Sequence, residues 1–170
     1  MKIETIRLAD SGEVPNHPRW SLILYTRAAP VDASGTATAA LDALFDANGW
    51  PVSWHDGIYR FTHFHSLTHE ALGIGAGSAR VQFGGESGPI LAVAAGDAVL
   101  LPSGTGHKLI EASSDLIVVG AYPPGADYDL VRAGEGDADQ LRRAIAAVPR
   151  PQSDPVTGRF GGLLEAWAET

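Results

Sequence analysis

The sequence predicts an all-β protein, a sandwich or barrel of short strands with a short helix on each flank. Three observations carry this reading. Apolar and polar residues alternate with period two through the middle of the chain. Turn-forming clusters punctuate that stretch at roughly ten-residue spacing, where alternating βαβ units would need long helical runs. The 170 residues also include 20 glycines and 11 prolines, the composition that tight turns demand.

Taken in order, residues 1–8 alternate weakly and suit an opening strand. A loop containing Pro15 and Pro18 leads into Trp20-Ser21-Leu22-Ile23-Leu24-Tyr25, an aromatic and aliphatic run typical of a strand. From 36 to 48 the period becomes helical: Leu41, Leu44 and Phe45 share a face, and Gly49 stands where a C-terminal cap belongs. The stretch from about 58 to 122 is the expected β core, with alternating sets Phe61/His63/His65, Glu70/Leu72/Ile74 and Ala79/Val81/Phe83. Its turns fall at 75–78, 84–89, 96–97 and 102–106. A second helix is expected over 137–148: Asp137 and Gln140 form a capping pair, Leu141, Ala144, Ile145 and Val148 line one face, and Pro149 ends it. The tail finishes in Leu163-Leu164-Glu165-Ala166-Trp167, too apolar to trail freely, so the whole of 1–170 is read as one domain.

Composition excludes several function classes. A net charge of −8 argues against nucleic acid and against anionic membrane surfaces, both of which need a basic face. No apolar run approaches the ~20 residues of a membrane-spanning helix, and the start lacks the apolar stretch of a signal peptide, so a cytoplasmic protein is expected. Zero cysteines exclude disulfides, thiolate metal sites and a cysteine nucleophile.

The chemistry concentrates in the histidines. His63, His65, His69 and His107 fall in two glycine-bounded segments, Gly57–Gly77 and Gly96–His107. Residues two apart on a strand point to one face, so the imidazoles of His63 and His65 can converge on one ion. Glu70 opens the next strand and offers a carboxylate from the neighbouring ladder, and the tight loop around Pro102 and Gly104 offers His107 as a third imidazole. His69 is the competing donor. Alternation turns it away from Glu70's face, but a register shift in the Ser66-Leu67-Thr68 bend would bring it in instead. His17 and His55 stand alone in their regions and read as ordinary core or surface histidines.

These residues resemble the two motifs of the cupin superfamily. The first, G-x(5)-H-x-H-x(3,4)-E-x(6)-G, is matched by Gly57, His63, His65, Glu70 and Gly77. The second, G-x(5)-P-x-G-x(2)-H-x(3)-N, is matched by Gly96, Pro102, Gly104 and His107, with Glu111 where the family has asparagine. The segments 63–70, 120–125 and 154–156 are similar to the YjlB-like bacterial cupins. The resemblance implies a jelly-roll β-barrel (the double-stranded β-helix) with a divalent transition metal, Fe, Mn, Ni or Zn, at its open end. It implies His63, His65, Glu70 and His107 as ligands, with Glu70 also able to act as a base. It further implies a homodimer, since cupin barrels commonly pair through sheet edges and terminal segments.

Alternation also describes the pocket. Phe61, Leu72, Ile74 and Leu109 share the ligands' face, while Arg60, Arg80, Gln82 and Lys108 point elsewhere. An apolar interior without a cationic clamp suits a small, largely apolar or aromatic molecule better than a sugar phosphate or dicarboxylate. Tyr25, Tyr59 and Tyr122 are candidate rim hydroxyls. Trp50, Trp54 and Trp167 read as core or interface, and Asp127, Asp129, Asp137 and Asp139 as a solvated loop and a helix start. The leading expectation is a dioxygenase-type oxidoreductase. A metal-assisted isomerase or lyase, and a non-catalytic ligand-binding module, are the alternatives.

Overall fold

The computed structural model describes residues 1–125 and 127–168. Eleven strands and three short helices run in the order β1 Lys2–Ile6, β2 Leu22–Thr26, α1 Thr38–Ala47, β3 Val52–Asp56, β4 His63–Phe64, β5 Glu70–Ala76, β6 Ser78–Phe83, β7 Ile90–Ala94, β8 Ala98–Leu101, β9 His107–Ala112, β10 Ile117–Ala121, β11 Val131–Arg132, α2 Ala138–Ala147 and α3 Leu163–Ala166. They form two antiparallel sheets, six strands in the order β1-β2-β8-β5-β10-β3 and five in the order β11-β4-β9-β6-β7. The jelly-roll prediction holds.

Side-chain alternation explains how the layers are made. On β2, Leu22 and Leu24 point between the sheets, where they join Leu72, Ile74, Val81, Phe83, Val99, Leu101, Leu109 and Val118 in one apolar cluster. Ile23 and Tyr25, on the opposite face of the same strand, join a second cluster with Leu41, Phe45, Trp50, Leu163 and Trp167. The outer face of the six-stranded sheet is therefore roofed by α1 and the C-terminal tail, and β5 is buried along its whole length. A smaller cluster of Val14, Phe64 and Ile145 packs α2 against β4. The expected cap is present: the Asp137 carboxylate accepts the Gln140 N–H at 2.8 Å.

Three elements depart from the sequence reading: β3, α3, and the two-residue β11, which lies past the expected end of the β core at 122. β3 lies before the expected start of the β core at 58, and pairs with β10 at the edge of the six-stranded sheet. It is only five residues long, with no fully buried position and just Val52 and Trp54 half-buried, so its alternation is too short to stand out. The tail, expected only to pack, forms the third helix α3 with Leu163 and Trp167 fully buried. Tyr25 is not a rim hydroxyl. It is buried against the outer roof, bonded to the carboxylate of Asp154, which also accepts the N–H groups of Val156 at 2.7 Å, Thr157 at 2.8 Å and Leu163 at 2.7 Å. That buried carboxylate pins the tail to the sheet.

Among the described residues, no helix is long and apolar enough to cross a membrane.

Candidate metal centre

Histidines from both motif segments meet at one end of the space between the sheets. β4 pairs with β9 through a single register position, His63 opposite His107, and their rings lie 4.1 Å apart. His65 lies just beyond β4, with its ring 6.3 Å from those of both His63 and His107. Glu70 opens β5 in the facing sheet, not on an adjacent ladder as expected from the sequence. Its carboxylate crosses the gap, placing Oε2 3.4 Å from His65 Nε2 and 3.5 Å from His107 Nε2.

The loops behind these residues are tied together by the backbone. The Gly104 N–H donates to the His65 carbonyl at 2.7 Å, coupling the two motif segments directly. Gly104 has φ +84°, and a β-carbon there would lie 2.6 Å from Cδ1 of Ile145, so glycine is needed both for the turn and for α2 to pack. Asn16 braces the same loop: its Oδ1 accepts the Gly106 N–H at 3.2 Å, and its amide donates to the Ala9 carbonyl at 2.7 Å and the Gly84 carbonyl at 3.0 Å. These bonds hold Asn16 at φ +52°.

Each of the three imidazoles has its Nδ1 on a backbone carbonyl: His63 on Phe61 at 3.0 Å, His107 on Thr105 at 3.0 Å, and His65 on Asp129. A carbonyl only accepts, so Nδ1 carries the hydrogen and Nε2 of the neutral ring is left with a lone pair. Opposite them, Glu70 Oε2 is buried without a hydrogen-bond partner. Two nitrogens and one oxygen about a common ion at ~2.1 Å stand roughly 3.0–3.4 Å apart, close to the two spacings observed. Among the described residues no three histidine or acidic side chains converge closely enough to hold an ion as they stand; two imidazoles approach the carboxylate, and His63 adjoins them through the His107 ring. An acceptor-only donor set of nitrogen and carboxylate oxygen, buried and convergent, fits a divalent transition metal.

The electrostatics favour the neutral, ligating form at His63 and His107, whereas His65 must give up a proton to ligate. Burial, reinforced by the other imidazoles, lowers the His107 pKa to about 3. Burial also lowers that of His63. Burial opposes a charge on His65 too, but the adjacent Glu70 carboxylate outweighs it and raises the pKa to about 9. Glu70 in turn is held ionised: the charge on His65 overcomes the burial that would otherwise raise its pKa.

His69 takes no part. It is fully buried behind Glu70, its Nδ1 accepting the Ser103 N–H at 2.9 Å and its Nε2 donating to the Pro149 carbonyl at 3.1 Å. Its ring packs 5.1 Å from Trp167 and 5.4 Å from Trp20. His17 is likewise a core residue, stacked 4.3 Å from Trp20. His55 is on the surface, 2.8 Å from Asp42.

The cavity in front of the site holds about 370 Å³ and is lined by Trp54, Ile58, Tyr59, Leu72, Tyr122, Tyr128 and Leu130 around the histidines, with Asp56 and Gly57 also on its wall. No lysine or arginine lines it among the described residues, as alternation predicted. Arg80 pairs with Glu111 at 3.6 Å and Lys108 with Glu86 at 2.5 Å. The Gln82 amide donates to the carbonyls of Glu86 at 2.8 Å and Gly88 at 3.2 Å. A second groove of about 600 Å³ lies between residues 7–18 and α2. Two of its three arginines are engaged: Arg142 holds Asp10 at 2.7 Å, and Arg7 bonds the Pro18 carbonyl.

Two residues of the site were misread from the sequence. Trp54, taken as core or interface, lines the cavity and donates its Nε1–H to the Tyr122 hydroxyl at 2.9 Å. Asp129, taken as part of a solvated loop, is partly buried and grips the bend after His65. Its carboxylate accepts the Ser66 N–H at 2.8 Å, the Ser66 hydroxyl at 2.5 Å and the Leu67 N–H at 3.2 Å. The local run Asp127-Tyr128-Asp129-Leu130 gives no sign of that partner, which lies more than sixty positions earlier in the chain.

No family model matches the chain. It is 35% identical over 166 residues to the uncharacterised protein YjlB of Bacillus subtilis, covering 98% of this chain and 97% of that protein. Among solved structures it is similar to a variant of Bacillus subtilis oxalate decarboxylase, with TM-score 0.38 and 17% identity over 69% of this chain and 29% of that one. A DUF861-family protein of Thermotoga maritima gives TM-score 0.28 and 25% identity over 48% and 78% of the two chains. Streptomyces albus HEPD, with 2-hydroxyethylphosphonate and Fe(II) bound, gives 0.29 and 12% over 89% and 28%. This chain thus spans under a third of the decarboxylase and of HEPD, and likenesses of that size carry no chemistry across.

Proposed function

The chain belongs to the YjlB-like family of cupins, and on that premise we propose that it is a metal-dependent enzyme of dioxygenase type acting on a small, largely apolar molecule. The ligands in this reading are His63, His65, His107 and Glu70. The observation that carries it is the commitment of three Nδ1 atoms to backbone carbonyls, with the partnerless Glu70 Oε2 facing the Nε2 atoms of His65 and His107. A divalent Fe or Mn held there supplies a Lewis acid and a redox centre for dioxygen.

The chain's own residues supply the rest. Leu72 and Ile58 keep the inner cavity dry, and the rings of Trp54, Tyr59 and Tyr128 give a planar apolar substrate surfaces on which to lie. The lack of a cationic clamp speaks for a neutral body with one polar group directed at the ion. With both oxygen atoms entering the product, no separate reductant is required. Glu70 is the nearest base to a bound substrate, ionised but weak because His65 keeps its pKa low.

The test is metal analysis of protein purified from its own host, alongside the variants His107→Ala and His17→Ala. Iron or manganese near one equivalent in the parent and in His17→Ala, with loss in His107→Ala, is the expected result. Equal metal in both variants refutes the ligand set, and zinc as the sole metal refutes the oxygenase reading.

A further inference from the structure

We infer that Trp54 and Tyr122 are positioning residues that fix which oxygen of Glu70 is offered to the ion, an inference that rests on the metal-site reading above. The chain of bonds begins at the sheet edge. Trp54 on β3 stands opposite Gly120 on β10, where the ladder shifts register between Gly120 and Ala121. A β-carbon at Gly120 would fall 2.0 Å from the indole Cε2 and 2.3 Å from Cζ2. The indole therefore lies flat across the glycine, in space that any other residue would fill. From there its Nε1–H reaches the Tyr122 hydroxyl at 2.9 Å, two positions after Gly120 and just past the end of β10.

Donor and acceptor roles then follow without choice. An indole N–H can only donate, so it occupies a lone pair of the Tyr122 oxygen. The hydroxyl's single hydrogen is free for its other neighbour, Glu70 Oε1, at 3.0 Å. The Tyr122 ring is itself held by Tyr128, stacked 4.6 Å away at 16°. An unrestrained carboxylate turns about its last bond and presents either oxygen, or both. Here Oε1 is engaged, and Oε2 is the one turned toward His65 and His107. A purely space-filling role would be met by phenylalanine at both positions, leaving Oε1 and Oε2 equivalent.

The test uses the full chain loaded with Mn(II), with the variants Tyr122→Phe and Trp54→Phe. Removing an outer hydrogen-bond partner of a ligand typically weakens metal binding about 10- to 100-fold. That loss is expected for Tyr122→Phe, with a smaller loss for Trp54→Phe. Both variants should shift the EPR spectrum of the bound Mn(II), while the metal-free proteins melt close to the parent. Affinity and spectrum unchanged from the parent overturn the proposal. Trp54→Phe keeps an aromatic ring and removes the N–H, so it decides the question even where Tyr122→Phe does not fold. His107→Ala separates the two levels. Mn(II) bound by His107→Ala as tightly as by the parent defeats the ligand set. Loss there, with both phenylalanine variants like the parent, defeats the positioning role alone.

Discussion

Acidification should destabilise the fold through His17, a histidine remote from the proposed ligands. The ring is 2% exposed and stacked on Trp20. Its Nδ1 accepts the N–H groups of Trp20 at 3.0 Å and Arg19 at 3.2 Å, so a second proton on the ring would break both bonds. Burial first, then the neighbouring His69, Arg19 and Arg7, lower its pKa from 6.5 to about 3. Between those values the unfolded chain holds a proton that the folded chain does not. The contribution of His17 to stability is therefore complete above pH 6.5 and is lost as pH falls toward 3. At pH 5 the loss is about 2 kcal/mol, set by the distance of that pH below the unfolded pKa. The folded value scarcely enters, because it lies well under 5. Urea denaturation at pH 7 and pH 5, with a chelator present, measures the loss in the parent and in His17→Gln. The variant should lose about 2 kcal/mol less than the parent across that interval. Identical pH dependence in the two proteins would refute the reasoning.

Metal binding at pH 7 should release about one proton, because the metal-free His65 has its pKa raised to about 9 while that of His107 is lowered to about 3. Calorimetry in buffers of differing ionisation heat reads that number, and zero release contradicts the assignment. Asp129→Ala removes the acceptor for two N–H groups and the Ser66 hydroxyl. It should destabilise by about 1–3 kcal/mol and loosen metal retention; a midpoint equal to the parent's would refute that role. Leu41→Ala empties fully buried space where α1 packs on Gly73, and should cost about 2–5 kcal/mol in urea denaturation without changing metal stoichiometry.

The parts of this protein that were legible in the sequence are those written in local spacing. The apolar and aromatic run at 20–25 was read as a strand, and the structure puts the two faces of 22–25 in two different cores. Asp137 capped its helix as read, because a cap needs only a partner three residues on. The edge strand β3 escaped notice because its alternation rests on two half-buried residues, Val52 and Trp54, too few to stand out. Trp54, Asp129 and Asp154 were misread or passed over for another reason. Their partners Tyr122, Ser66 and Tyr25 lie 68, 63 and 129 positions away.

The sequence by itself determined which residues offer imidazole and carboxylate groups at the motif's intervals, a chemical inventory that needs no coordinates. Only the tertiary structure decided that Glu70 reaches them from the facing sheet, that His69 is spent on Ser103 and Pro149, and that one oxygen of Glu70 is held by a tyrosine. The reason is physical: side-chain period reports which way a residue points on its own strand. Which strand it then meets is settled by the packing of sheets whose members are far apart in the chain.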